Sequence, residues 1–129
     1  MNPSALRFFS SILVLLLLLV LPCVSAAAEQ DKAAAAVAAA KEFLVLVDQG
    51  EYVKSWEQAS SLFAERIPKE DWIEGISRFR PTFGEVQERT LKGSHLTKSL
   101  PGAPDGEYVL ILFTSIFEKK AKAVETITM

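Results

Sequence analysis

The stretch SLPGAPDGEYVLILFTSIF, Ser99 to Phe117, decides the fold of this chain. Two prolines, two glycines and an aspartate crowd its first half, and its second half is apolar on every side. As a helix, Tyr108 to Phe117 would span about 15 Å, half of the roughly 30 Å hydrocarbon of a bilayer, so it cannot cross a membrane in that form. As a strand, it sets Val109, Ile111, Phe113 and Phe117 on one face and Tyr108, Leu110, Leu112 and Ile116 on the other. Both faces are apolar, and both therefore call for cover. The preceding LPGAPDG lacks the GK[ST] ending of a phosphate loop and leads into a strand instead of a helix N-terminus. It reads as a hairpin connection, with Asp105-Gly106 as its turn dipeptide.

Working outward, the chain on the N-terminal side has a helical period. Ala33, Ala36, Val37, Ala40, Phe43, Leu44 and Val47 recur at steps of three and four between Gln30 and Gln49, and Gly50 stands where a helix would end. Tyr52, Trp56, Ala59, Phe63 and Ile67 continue the period as a second helix, which Pro68 stops. A third, shorter helix follows, opened by Pro68, with Trp72, Ile76 and Phe79 on its inner face, and closed by Pro81. From Val86 to Thr97 the sequence is polar and β-leaning, and Gly93 marks a bulge or bend in an edge strand. Beyond the central strand, Lys119-Lys120-Ala121-Lys122 reads as a charged turn before a last strand from Ala123. Helices segregated from an antiparallel meander define an α+β fold.

The first quarter of the chain reads as a targeting segment. Arg7 supplies the positive start, Phe8 to Leu21 the apolar run, and Val24-Ser25-Ala26 the small residues of a cleavage site, with a second at Ala28. The expectation is a signal peptide over 1–26 and one domain over 27–129, exported to a periplasmic or secreted location. The alternative is an uncleaved N-terminal membrane anchor, and membrane contact in either case is through this segment alone. Cys23 is the one cysteine; Pro22 before it argues against lipidation, and cleavage after Ala26 removes it, leaving no thiol or disulfide chemistry. Losing Arg7 takes the 14 basic residues to 13 against 16 acidic, a net charge of −3 that does not suit a nucleic-acid partner.

The pieces FLVLVDQGEYVKSWEQASSLF, RPTFGEVQERTL, LPGAPDGEYVLILFTSIF and AVETIT, in that order and spacing, resemble a bacterial family known as domain of unknown function 4019, from about Ala34 to the C-terminus. The resemblance implies a nuclear transport factor 2-like fold, three helices packed on a bent antiparallel sheet that forms a cone with a pocket. It also implies a final strand beyond Met129, so the chain reads as truncated there. It carries over no catalytic residue.

Candidate chemistry is sparse. His95, beside Ser94 on a strand, points to the opposite face from it and completes no triad; it is expected to be exposed and silent. With one histidine and no mature cysteine, neither a metal site nor a cofactor is expected. Tyr52, Trp56, Trp72 and Phe113 are the ligand-pocket candidates, and a plain core explains the same spacing. Asp48, beside Gly50, is expected to be a helix-end residue, the alternative being a place at the pocket mouth. Glu125 shares a strand face with Ala123, Ile127 and Met129; facing inward it would be an acid or base candidate, and facing outward, the expected case, it would pair with an Arg or Lys. Lys119, Lys120 and Lys122 are expected to be solvated.

Two functions remain. One is a non-enzymatic module that binds a small hydrophobic ligand, or a protein partner or second copy covering the bare sheet face. The other is an enzyme like the isomerase and cyclase relatives that the resemblance implies, using Asp48 or Glu125 with Tyr52 as proton donor. A truncated product without function is the third reading.

Overall fold

The Ser99–Phe117 stretch folds as a loop feeding a central strand in the structure, a computed structural model that describes residues 23–129. Pro101 and Gly102 form the turn: Ala103 N–H donates to Leu100 C=O at 3.1 Å, and Gly102 takes φ +76°, the left-handed value a type II turn needs at its third position. The tight turn is thus Leu100–Ala103. Asp105-Gly106, expected to make it, instead closes the wider loop through Gly106 N–H to Lys98 C=O at 3.1 Å. The strand, β2 (Tyr108–Phe117), lies between β1 (Val86–Thr97) and β3 (Lys120–Thr128) in an antiparallel meander. Register shifts interrupt β1 between Val86 and Glu88 and between Leu91 and Gly93, the latter at the glycine that the sequence marks.

Among the described residues, four α-helices precede the sheet. The first, α1 (Cys23–Asp48), takes in the seven residues before the expected Gln30. Ala26 and Ala28 are helical; the apolar run of the expected targeting segment, Phe8 to Leu21, lies outside the described residues. Residues Ala33–Met129 form one compact unit, to which the helical residues 23–32 do not belong. At its far end α1 stops in a Schellman motif: Gly50, at φ +75°, donates to Val47 C=O at 3.2 Å, and Glu51 N–H donates to Leu46 C=O at 2.9 Å.

The expected second helix is split into α2 (Tyr52–Glu57) and α3 (Ser61–Arg66). Ser60 is the reason. Its hydroxyl accepts from Phe63 N–H at 3.2 Å as the N-cap of α3, and Trp56 Nε1 donates to Ile67 C=O at 2.8 Å, holding the two short helices folded against each other. Ser60→Ala is expected to lower stability by about 1 kcal/mol, read as a thermal midpoint several degrees lower. The fourth helix, α4 (Lys69–Phe79), is capped by Pro68 and followed by a 3₁₀ turn over Arg80–Phe83.

The core lies between α1 and β2. Ala40, Leu44, Val109, Ile111 and Phe113 are buried together, with Phe43, Leu96, Ile127 and Met129 packed around them. The opposite face of β2 is not covered by any described element. Leu112 on that face is 39% exposed and Val124 of β3 is 65% exposed, so the expected double cover is absent among the described residues. Thr90, Thr114, Thr126 and Thr128 interrupt the apolar side chains there. The β2–β3 hairpin turns on Glu118 and Lys119 alone, tighter than expected, so Lys120 and Lys122 belong to β3.

Candidate functional site

Along β3 runs an apolar groove, walled on the other side by helices. Its first section, about 340 Å³, lies among Leu44, Val47, Ile76, Phe83 and Ala123. The central section, also about 340 Å³, is lined by Phe43, Ala59, Phe63, Trp72, Ile127 and Met129. A third, about 430 Å³, opens between Leu62, Ile67, Tyr108 and Met129. Neighbouring sections share walls: Phe43, Trp72, Thr126 and Ile127 border the first two, and Ser60, Phe63, Thr128 and Met129 the last two. The helical wall is an aromatic set, with Trp72 5.3 Å from Phe63 edge-on and 6.0 Å from Phe43. Trp72 is fixed by its indole N–H, which donates to the buried Ser55 hydroxyl at 3.0 Å, and that hydroxyl donates in turn to Tyr52 C=O at 2.9 Å.

A charge cluster borders the first section, with Arg80 and Glu125 in its wall. Arg89 of β1 lies between two carboxylates. It donates to Asp48 through Nη1 at 2.6 Å and Nη2 at 3.1 Å, and to Glu125 through Nε at 2.7 Å and Nη2 at 3.1 Å. Arg80 donates to Asp48 at 2.8 Å and to Gly84 C=O at 2.7 Å, with its guanidinium carbon 4.5 Å over the Phe117 ring. The Ser115 hydroxyl donates to Glu125. Two cations balance two anions, and every carboxylate oxygen is engaged. Burial pushes the Asp48 carboxyl up, but the hydrogen bonds and charges of Arg89 and Arg80 outweigh it and hold it below its ordinary value of 3.8. Burial likewise opposes the charge on Arg89, and the same carboxylates outweigh it and raise its pKa. Gly84 is required beside this cluster: it sits at φ +74°, and a Cβ there would come within 2.7 Å of Glu118 Oε2.

The sequence candidates are therefore sorted in space. Asp48 and Glu125 are brought together, through Arg89. Glu125 faces inward with Ala123, Ile127 and Met129, where the outward face was expected, because the Phe113–Glu125 pairing puts it on the buried side of β2; it nonetheless has an arginine partner. No hydrogen bond joins Tyr52 to either carboxylate, and it lines none of the three groove sections. Trp72 lines two of them. Trp56 lines none; Lys69 Nζ lies 5.8 Å over its ring. Phe113 is 1% exposed and belongs to the core, not to a pocket. His95 is exposed. Among the described residues no group of metal-ligating side chains converges.

Sequence reasoning missed Arg80 and Arg89 as partners and Phe43, Phe63 and Met129 as groove walls. One signal was available: Ser115 is the lone polar residue in phase with Val109, Ile111, Phe113 and Phe117, and a buried hydroxyl implies a polar partner opposite.

An α+β domain with a three-stranded meander, a flanking groove and a buried neutral charge cluster is thus the class that the fold and site define. The family described as Protein of unknown function (DUF4019) matches residues 39–129, and the chain belongs to it. No curated protein and no solved structure matches the chain.

Proposed function

We propose that the chain is an exported, non-enzymatic binding module that takes a hydrophobic guest in the groove along β3. In this reading the scaffold is of nuclear transport factor 2-like build, and an N-terminal signal segment cleaved after Ala26 or Ala28 delivers it. The observation that carries the proposal is the groove itself, three connected apolar sections with an aromatic wall, the kind of surface that recognises apolar ligands. The enzyme reading finds less support. Asp48 and Glu125 are both spent on Arg89, with Arg80 and Ser115 as further donors, the Asp48 carboxyl is held below its ordinary value and so is a weak base, and Tyr52 bonds to neither.

The test is an apolar fluorescent probe, anilinonaphthalene sulfonate, titrated into the folded chain. A saturable fluorescence rise is expected, and Ala59→Arg, which places a long charged side chain in the central section, is expected to weaken it at least about tenfold. Equal binding by the two proteins, with both folded by circular dichroism, would remove the groove from consideration. Native mass spectrometry of protein recovered from its exported compartment reads the cleavage site and any retained ligand in one spectrum.

A further inference from the structure

We infer that the bare outer face of the sheet is where two copies of this chain meet, β2 against β2, about a two-fold axis running along that strand. The surface lies across the sheet from the helices that wall the groove, and it is a separate site. Leu110, Leu112 and Ile116 form an apolar stripe down its middle, on the side of β2 that no described element covers. Their cross-strand neighbours are small or polar: His95 and Thr128 flank Leu110, and Gly93 and Thr126 flank Leu112. An apolar centre with a threonine-rich rim is the anatomy of an association surface; a solvated sheet face would be polar along its middle strand too. A strand paired to β3 would lie in the plane of the sheet, widening this face without covering it.

Shape and charge select the occupant. A sheet face is a set of side-chain ridges and not a concavity, so it suits a second sheet packed about 10 Å away better than an enclosed small molecule. Its charges lie on either side of Ile116. Glu88 of β1 is the direct partner of Ile116, and Lys122 of β3, two residues from the outward Val124, shares that face. Neither holds an ion pair among the described residues. A two-fold along β2 sets β1 of one copy over β3 of the other at the same level, so Glu88 meets Lys122 of the second copy, twice over by symmetry. A two-fold across the strands would instead bring Glu88 toward His95 and leave Lys122 against Thr128. A bilayer surface asks for one sign of charge, and this face carries both. The three strands give a face of roughly 14 by 30 Å, so two copies bury on the order of 1,000 Å², enough for a specific interface that dissociates on dilution.

The test is sedimentation of the full chain over a concentration series, with circular dichroism of every variant. A reversible monomer–dimer equilibrium is expected. Leu112→Arg, at a position 39% exposed and so tolerant of a long side chain in the monomer, is expected to raise the dissociation constant at least about tenfold with an unchanged spectrum. Glu88→Lys and Lys122→Glu each set like charges together at both ends of the two-fold and are expected to weaken the dimer about tenfold. An equal mixture of these two variants restores both opposite-charge pairs in a heterodimer, and its affinity is expected to return to within about threefold of wild type. A chain that stays monomeric at every concentration overturns the inference. So does a dimer that Leu112→Arg leaves intact, which places the contact elsewhere, and so does a mixture no tighter than either single variant, which breaks the Glu88–Lys122 pairing and the two-fold with it. Probe binding in the groove is unaffected by any of these outcomes.

Discussion

Arg89→Ala is expected to lower unfolding free energy by roughly 3–5 kcal/mol, enough to consume much of the stability of a domain this size. The loss comes less from the missing guanidinium than from what it leaves behind. Asp48 and Glu125, both mostly buried, would face each other with Arg80 alone to offset them. Arg89→Lys is expected to rescue only part, because one ammonium cannot reach both oxygens of both carboxylates as the planar fork does. Urea unfolding of wild type and the two variants, with circular dichroism as readout, measures the difference. If Arg89→Ala costs less than about 1 kcal/mol, the cluster is a solvated surface pair and its structural role is refuted.

The same cluster sets an acid limit. Because the folded Asp48 carboxyl is held below its ordinary value, its contribution is fully present above that value and drains away as the pH falls through the lower, folded one. Unfolding free energy measured from about pH 6 down to about pH 2 should therefore fall for wild type and fall less steeply for Asp48→Asn. An unchanged slope would mean that Arg80 and Arg89 do not favour the ionised form.

The second large effect is at Phe113. Phe113→Ala is expected to cost about 3–5 kcal/mol, since a ring 1% exposed and packed among Ala40, Leu44 and Ile111 leaves a void that its neighbours fill only in part. Binding of the apolar probe to the remaining folded protein should be unchanged, because Phe113 borders no section of the groove. Thermal unfolding and probe titration of one preparation read both quantities. A stable Phe113→Ala protein with weakened probe binding would return the ring to the ligand site.

Periodicity told most of the layer order. The step of two in Tyr108–Phe117 and the steps of three and four before it are direct records of which faces are buried, so strand, helix and sequence of elements were legible. Ser60 was not, because its neighbours Ala59 and Phe63 keep the helical phase, and only the capping geometry reveals the break. The site was less legible still. Asp48 and Glu125 could be named as carboxylates of interest, but their partner Arg89 lies on a strand whose apolar phase is scrambled by two register shifts, and no local pattern predicts which face it takes. The groove, likewise, is made by residues from α1, α3, α4 and β3 that are helix- or strand-face residues in the sequence and become a wall only in three dimensions.

The lone hydroxyl on the buried face of β2 has a meaning beyond its own hydrogen bond. A strand with apolar side chains on both faces offers little to tell one alignment with its neighbours from another shifted by a residue pair. Ser115 supplies the mark. Sliding β3 by two residues would set Ile127 or Ala123 in the place of Glu125 and carry Glu125 opposite Ser115 or Ile111, leaving Arg89 without that carboxylate. The polar layer of Arg89, Ser115 and Glu125 thereby acts as an alignment key for β3 against β2, and which β3 residues face the groove depends on that key being seated.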